Sequence, residues 1–142
     1  MKISELARMT GQSTETIRYY ERIGLLPAAE RLANNYRIYG AAHVRQLDFI
    51  RRCRTLGLGL EEIRMLMVNL YEPTATSANE AHRMIHGHLD TVKRQIAELN
   101  KLRESLMQLD AVCRGGHQEG ERCELVDVLN GDEILDCSLS KK

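Results

Sequence analysis

Residues 14–21 read TETIRYYE and follow a turn, residues 10–13, that reads TGQS. The glycine in this turn permits a tight bend of the backbone, and Ser13 can cap the helix that follows it. Apolar spacing predicts one short helix over residues 3–9 and a second that ends near Ile23. Two short helices joined by a tight glycine-containing turn are typical of a helix-turn-helix.

The chain beyond these two helices predicts a wing and two further helices. Residues 34–40, NNYRIYG, combine turn-forming asparagines with a short alternating strand, which is the pattern of a small hairpin or wing. Helical spacing returns over residues 41–55 and again from Leu60 to Tyr71, with glycines between the two segments. We therefore expect a mainly α fold that begins with a winged helix-turn-helix.

A long helix with a narrow apolar seam is predicted after Pro73. The seam residues recur at steps of four and three with one slipped step, which is the spacing of a coiled coil. Because a lone helix of this length cannot bury its seam against a small front domain, we expect it to pair with a second copy of the chain. The alternative is a helix folded back on its own domain. The seam consists of Ile85, Leu89, Val92, Ile96, Leu99, Leu102, Leu106 and Leu109.

The front of the chain is basic although the net charge of the whole chain is zero. Residues 1–54 carry ten Lys and Arg against five acids, whereas the other 88 residues carry ten against fifteen. Four of the five tyrosines also lie in the basic segment. A basic segment rich in tyrosine favours nucleic acid as its partner.

The composition excludes several classes of protein. A chain of 142 residues that is 43% hydrophobic and 28% charged has the values of a globular protein, so disorder throughout the chain is excluded. No stretch approaches the roughly 18 apolar residues that cross a bilayer, and the N-terminus lacks an apolar signal region. We expect a cytoplasmic protein with no membrane partner. An enzyme is disfavoured, since no nucleophile, base and oxyanion donors lie close together in the sequence.

Six side chains of the helix-turn-helix and wing are candidates for contact with DNA. The start of the second helix would fit the major groove, where Arg, Tyr and Thr reach phosphates and base edges. The wing would grip the flanking backbone. For each tyrosine, Tyr20 above all, the alternative is packing in the core. The candidates are Thr16, Arg18, Tyr19, Tyr20, Tyr36 and Arg37.

Four motifs resemble, in order and in spacing, those of the MerR family of bacterial transcription regulators. The resemblance extends over nearly the whole chain. The motifs are TIRYYE at residues 16–21, GLLP at residues 24–27, NYRIY at residues 35–39 and FIRRCR at residues 49–54.

The resemblance to the MerR family implies a chain of three parts. They are a winged-helix DNA-binding domain with connecting helices over residues 1–72, a dimerisation helix in an antiparallel coiled coil over residues 76–112, and a metal-binding loop, short helix and tail over residues 113–142. It also implies a homodimer that distorts a palindromic promoter so that RNA polymerase can engage. By position, it implies phosphate contacts for Arg18, Tyr20, Tyr36 and Arg37 and the base-reading end for Thr16 and Tyr19.

Two of the four cysteines bracket a glycine-rich loop. Cys113 and Cys123 lie ten residues apart with His117 between them, and two thiolates on such a loop can converge on one soft metal ion. In a cytosolic protein this spacing favours a metal over a disulfide. The alternatives are two unrelated reduced cysteines, or a redox sensor in which Cys113 pairs with Cys123 or Cys137. The loop resembles that of the metal-sensing MerR regulators. Cys53 faces inward and is expected to be a structural thiol.

The identity of the metal is less closely defined than its site. The loop is similar in length to that of zinc-responsive family members, so we expect one divalent ion per loop, of the zinc, cadmium or lead type. Those members also have a cysteine near the start of the dimerisation helix, where this chain has Ala78. Two thiolates alone suit a linear copper(I)-type site, which makes a monovalent copper, silver or gold sensor the alternative. The residues that could replace the missing cysteine are His82, His86, His88, His117 and Cys137.

Overall fold

The computed structural model describes residues 1–131 of the chain. They divide into two compact units, one of Met1–His86 and a second that starts at Gly87. The mainly α architecture and each predicted helix are confirmed, with small differences at the ends. In chain order the elements are α1 (Ile3–Thr10), α2 (Thr14–Arg22), β1 (Glu30–Arg31), β2 (Arg37–Ile38), α3 (Ala41–Thr55), α4 (Leu60–Tyr71), α5 (Ala75–Val112) and α6 (Glu124–Leu129).

Local backbone chemistry determines where α2 begins and ends. Gly11 adopts the left-handed conformation at φ 68°, which costs glycine little and other residues more. Ser13 caps α2, since its Oγ accepts a hydrogen bond from the backbone N–H of Thr16 at 3.0 Å. After the last helical residue, Arg22, the chain turns away through Gly24 at φ 75°. The second helix of the helix-turn-helix is therefore short and has defined ends.

The wing is a two-stranded antiparallel hairpin. Glu30 pairs with Ile38 and Arg31 pairs with Arg37. Asn35, in the loop between the strands, has a positive φ of 67°, which asparagine tolerates better than most residues. The sequence predicts the hairpin but does not locate its first strand. With two exposed residues, β1 has no alternating apolar pattern that could reveal it.

The core of the first unit combines α1 to α4 with the segment that leaves α2. Leu6, Ile17 and Ile50 are fully buried, and burial of one such side chain contributes roughly 1.5–3 kcal/mol. Cys53 is buried, as predicted. The buried apolar residues of this core are Leu6, Ile17, Tyr20, Leu25, Leu26, Tyr39, Leu47, Ile50, Cys53, Leu58, Ile63 and Met67.

Two buried polar side chains of α3 hold the segment that follows α2. Gln46 donates through Nε2 to the carbonyl of Leu25 at 2.7 Å, and the hydroxyl of Tyr71 donates to Oε1 of Gln46 at 2.9 Å. Nε2 of His43 lies 3.2 Å from the carbonyl oxygen of Pro27. Buried carbonyls need such partners. Apolar periodicity does not predict that Gln46 and His43 are buried, because both of these side chains are polar.

The longest element is α5, with 38 residues. Ser77 anchors its start, because its Oγ accepts hydrogen bonds from Nδ2 of Asn69 at 2.9 Å and from the backbone N–H of Thr74 at 3.0 Å. In the described part of the chain, no helix combines the length and apolarity that crossing a membrane requires. Six residues of the predicted seam are between 41% and 63% exposed, namely Ile85, Leu89, Ile96, Leu99, Leu102 and Leu106. Within one chain the seam thus stays in contact with water.

Candidate DNA-binding surface and metal centre

Four side chains of α2 are predicted to contact DNA, and three of them lie near the surface. Arg18 and Tyr19 are exposed and Thr16 is half-buried. The guanidinium of Arg22 lies 5.3 Å from the ring centre of Tyr19, at the distance of a cation–π contact. Tyr20 is only 7% exposed and lies in the hydrophobic core. Its ring packs in the core, and a phosphate contact by Tyr20 stays a prediction.

A groove beside α2 brings together the basic side chains of the helix and the wing. It encloses about 560 Å³ and is lined by Arg18 from α2 and by Tyr36 and Arg37 from the wing. Lys2 and Arg31 also line it. The sequence does not identify Lys2 and Arg31 as candidates for DNA contact, because it shows them only as part of the basic excess at the front of the chain. Four cations beside an exposed tyrosine form a surface that suits a phosphate backbone.

Glu21 fastens the wing to α2. Its Oε1 accepts a hydrogen bond from the backbone N–H of Ala29 at 3.1 Å, and its Oε2 lies 3.6 Å from Nη1 of Arg37. Burial raises the pKa of the neighbouring Tyr39, and the negative charge of Glu21 raises it further. The side chain of Glu21 is 11% exposed. A largely buried carboxylate thus holds the wing cation beside α2.

The loop between α5 and α6 brings four potential metal ligands together. Sγ of Cys113 lies 3.3 Å from Sγ of Cys123 and 3.3 Å from Nε2 of His117. The same Nε2 lies 3.1 Å from Oε2 of Glu124. All four ligand atoms lie within 4.8 Å of one another. We call Cys113, His117, Cys123 and Glu124 the loop cluster. Its sulfur, nitrogen and oxygen donors are those that bind zinc and related ions.

The helix ends position these ligands. Cys113 follows Val112, the last residue of α5, whereas Cys123 is the N-cap of α6 and Glu124 is its first residue. The spacing of the cysteines predicts Cys113, Cys123 and His117 as a group, and the structure brings them together. Glu124 is not predicted. Its only signal is its place next to Cys123, and acidic residues are common at the start of a helix without binding metal.

The pKa shifts of Cys113 and Glu124 refer to the protein without a metal ion. The N–H of Gly115 donates to Sγ of Cys113 at 3.4 Å and lowers the pKa of that thiol, but the neighbouring Cys123 and Glu124 raise it, and the result is a raised pKa. A hydrogen bond with His117 lowers the pKa of Glu124. The raised pKa means that a metal ion has to compete with the proton of Cys113.

The other three histidines that could replace the missing cysteine do not belong to the loop cluster. The rings of His82 and His86 stack with their centres 6.4 Å apart, and neither these histidines nor His88 belongs to the loop cluster. Cys53 is buried at 6% exposure, and burial raises the pKa of its thiol. Cys137 lies outside the described residues.

Comparison with known proteins identifies the family. Residues 1–70 match the model of the MerR HTH family regulatory proteins, and residues 44–109 match the model named MerR, DNA binding. A probable heavy metal-dependent transcriptional regulator of Haemophilus influenzae is 34% identical over 131 residues, which cover 92% of this chain and 100% of that protein. The chain belongs to the MerR family. The resemblance noted in the sequence is thereby confirmed.

Further MerR relatives agree with the fold. The HTH-type transcriptional regulator ZntR homolog of Haemophilus influenzae is 41% identical over 109 residues, 77% of this chain and 80% of that protein. The crystal structure of the transcription regulator PbrR691 from Ralstonia metallidurans, in complex with lead(II), is 33% identical, covers 91% of this chain and 98% of that chain, and superposes with a TM-score of 0.78. These relatives are transcriptional regulators and not enzymes, as expected. The loop cluster begins at Cys113, beyond both matched family regions, so its description depends on its own geometry.

The raised pKa of Cys113 predicts how its alkylation depends on pH. Because the thiolate is the reactive form, Cys113 of the reduced, metal-free protein should react more slowly at pH 7 than the same residue in the unfolded chain. The difference in rate should shrink as the pH rises above the pKa of Cys113 in the folded protein, because Cys113 is then a thiolate in both the folded and the unfolded chain. Timed alkylation with peptide mapping by mass spectrometry measures the rates, and buried Cys53 serves as the protected control. Equal rates in the folded and unfolded chains across the pH series would contradict the raised pKa.

Proposed function

We propose that this MerR family member is a metal-responsive transcriptional activator. It binds a promoter as a homodimer and distorts the DNA when one heavy-metal ion binds the loop between Cys113 and Cys123, so that RNA polymerase can engage. The observation that carries this proposal is the convergence of two sulfurs and the imidazole of His117 in a chain whose front matches a helix-turn-helix family. A relative named as a probable heavy metal-dependent transcriptional regulator and a relative crystallised with lead(II) support it.

The proposed DNA contacts follow from the groove beside α2. Arg18, Tyr36 and Arg37 would hold phosphates, and Lys2 and Arg31 would add to the same field. Thr16 and Tyr19 would lie at the base-reading end of α2. A homodimer presents the groove twice, so its affinity for DNA should depend steeply on salt.

Arg18→Ala tests this surface. The substitution removes one phosphate contact from each protomer, and we expect promoter affinity to fall by about tenfold or more. The slope of log K against log salt should become shallower by about 0.9 for each phosphate that the protein no longer neutralises. Fluorescence anisotropy with promoter DNA over a salt series measures both quantities. Arg103→Ala removes the same charge from α5 and should leave the slope unchanged. An unchanged slope for Arg18→Ala would show that the groove does not bind DNA.

The exposed seam of α5 supports the proposed homodimer. A stripe with steps of four and three residues fits a helix that carries the same stripe, and a second copy of the chain provides one. Burial of this stripe would contribute roughly 25 cal/mol for each Å² removed from water. By the family resemblance, the two helices run antiparallel.

Leu99→Glu tests the pairing. Leu99 is 63% exposed within one chain, so a glutamate there is tolerated in the monomer but would be buried as a charge in the paired seam. We expect the substitution to shift the protein to monomer in sedimentation equilibrium. Asn100→Glu places the same charge next to the seam and should leave the dimer intact. A dimer of undiminished stability in Leu99→Glu would place the interface elsewhere.

The loop supplies the proposed sensor. We propose a divalent ion of the zinc, cadmium or lead type, since Nε2 of His117 lies 3.3 Å from Sγ of Cys113 and adds a nitrogen donor to the two sulfurs. A copper(I)-type ion on the two sulfurs is the alternative. A second candidate function, redox sensing, is favoured by the 3.3 Å between the sulfurs of Cys113 and Cys123, because these thiols could form a disulfide. Induction by an oxidant in the absence of metal would support that function.

Cys113→Ser separates the sensor from the DNA-binding surface. We expect loss of metal-dependent induction with unchanged promoter affinity, because the serine hydroxyl is a poor ligand for a soft ion and the groove lies on α2 and the wing. In vitro transcription from the promoter, with and without metal, measures induction. Ser105→Ala, a substitution within α5, is the matched control. Full induction by Cys113→Ser would rule out the loop as the sensor.

A further inference from the structure

We propose that Glu124 is a metal ligand and that its carboxylate makes the loop site selective for a divalent ion of the zinc type over a monovalent ion of the copper type. This inference rests on the proposed function, in which the loop between Cys113 and Cys123 binds a metal ion. It assigns a fourth donor from within the same loop, where the sequence indicates only three.

The ring nitrogen of His117 that Glu124 contacts indicates whether Glu124 binds the metal or only orients the imidazole. A carboxylate that only orients a metal-bound histidine accepts a hydrogen bond from the ring nitrogen that faces away from the metal. Here Oε2 of Glu124 lies 3.1 Å from Nε2 of His117, and that same nitrogen faces Sγ of Cys113 at 3.3 Å. The carboxylate therefore approaches the same ring nitrogen as Sγ of Cys113 does. An ion bound there has Glu124 beside it.

Three distances between ligand atoms of the loop cluster are close to those of a tetrahedral zinc site. Zinc bond lengths and tetrahedral angles require about 3.8 Å between two sulfurs, about 3.6 Å between sulfur and nitrogen, and about 3.4 Å between nitrogen and oxygen. The corresponding contacts are 3.3 Å for Cys113 to Cys123, 3.3 Å for Cys113 to His117 and 3.1 Å for His117 to Glu124. These contacts are shorter by about half an ångström or less. A small lengthening of these three contacts gives tetrahedral spacing, and all four ligand atoms already lie within 4.8 Å of one another.

The charge and the donor types of the loop cluster favour a divalent ion. Two thiolates and one carboxylate carry three negative charges, so a divalent ion leaves a net charge of −1 and a monovalent ion leaves −2. Carboxylate oxygen is a hard donor that zinc accepts, whereas copper(I) prefers the soft sulfurs alone. Glu124 should therefore add to zinc affinity and contribute little to copper(I) affinity. His117 and Glu124 together supply the two donors that a two-thiolate site lacks for four-coordinate zinc.

The test compares Glu124→Gln with the wild type in anaerobic titrations of the reduced full-length protein. Zinc(II) and copper(I) are each titrated against a competing chelator, and circular dichroism of the metal-free proteins checks the fold. We expect zinc affinity to fall by about tenfold or more and copper(I) affinity to change by less than about threefold. Glu121→Gln changes a carboxylate of the same loop that instead accepts the N–H of Gln118 at 3.4 Å, and it should leave both affinities unchanged.

Substitution of His117 separates a ligand from a residue that only positions the imidazole. If Glu124 binds the ion itself, Glu124→Gln lowers zinc affinity in the His117→Ala background as well. If it acts only through His117, the second substitution has no further effect, and our assignment is wrong. Equal zinc affinities of Glu124→Gln and Glu121→Gln, or equal losses of zinc and copper(I), would also overturn it. The failure of the proposed function looks different, because Cys113→Ser would then bind both metals as the wild type does.

Discussion

Cys113 and Cys123 lie ten residues apart in the chain, yet their sulfur atoms lie 3.3 Å apart in space. Gly115 and Gly116 in the loop adopt φ values of 75° and 74°, and the turn at Gly120 has φ 88°. In this left-handed region a residue with a Cβ atom costs roughly 1–2 kcal/mol more than glycine. The glycines therefore make the convergence of the ligands possible, and both the proposed metal specificity and the proposed sensing depend on that convergence.

The convergence of the two sulfurs would influence the proposed regulation because the loop directly follows α5. The last carbonyl groups of any helix lack partners within the helix, so the next segment of the chain determines how the helix end is held. Here Cys113 follows Val112 directly, and its sulfur contacts Cys123, the N-cap of α6. An ion that joins the two cysteines would fasten the end of α5 to the start of α6. Since α5 also carries the seam proposed for pairing, metal binding would act on a helix that the dimer shares.

A part of the molecule can be predicted from the sequence only where a recognisable pattern of residues encodes it. The helices and the grouping of Cys113, His117 and Cys123 could be predicted, because apolar periodicity and cysteine spacing are direct consequences of helix geometry and metal chemistry. Strand β1 and the place of Glu124 in the loop cluster could not, since an exposed two-residue strand and a single acid at a helix start resemble ordinary surface. The burial of Tyr20 likewise depends on tertiary packing, although its neighbour Tyr19 on the same helix is exposed.

Each of the two proposed binding partners, DNA and a metal ion, is opposite in charge to the part of the chain that would bind it. The front 54 residues have five more basic than acidic side chains, and the carboxylate of Glu21 beside the groove is occupied with Arg37 and the backbone of Ala29. The groove therefore keeps a positive field for phosphates, and the contact with Glu21 holds Arg37 beside α2. The other 88 residues have five more acids than bases, and the carboxylate of Glu124 faces the thiols. A net charge of zero thus conceals two opposite fields, one suited to a polyanion and the other to a cation.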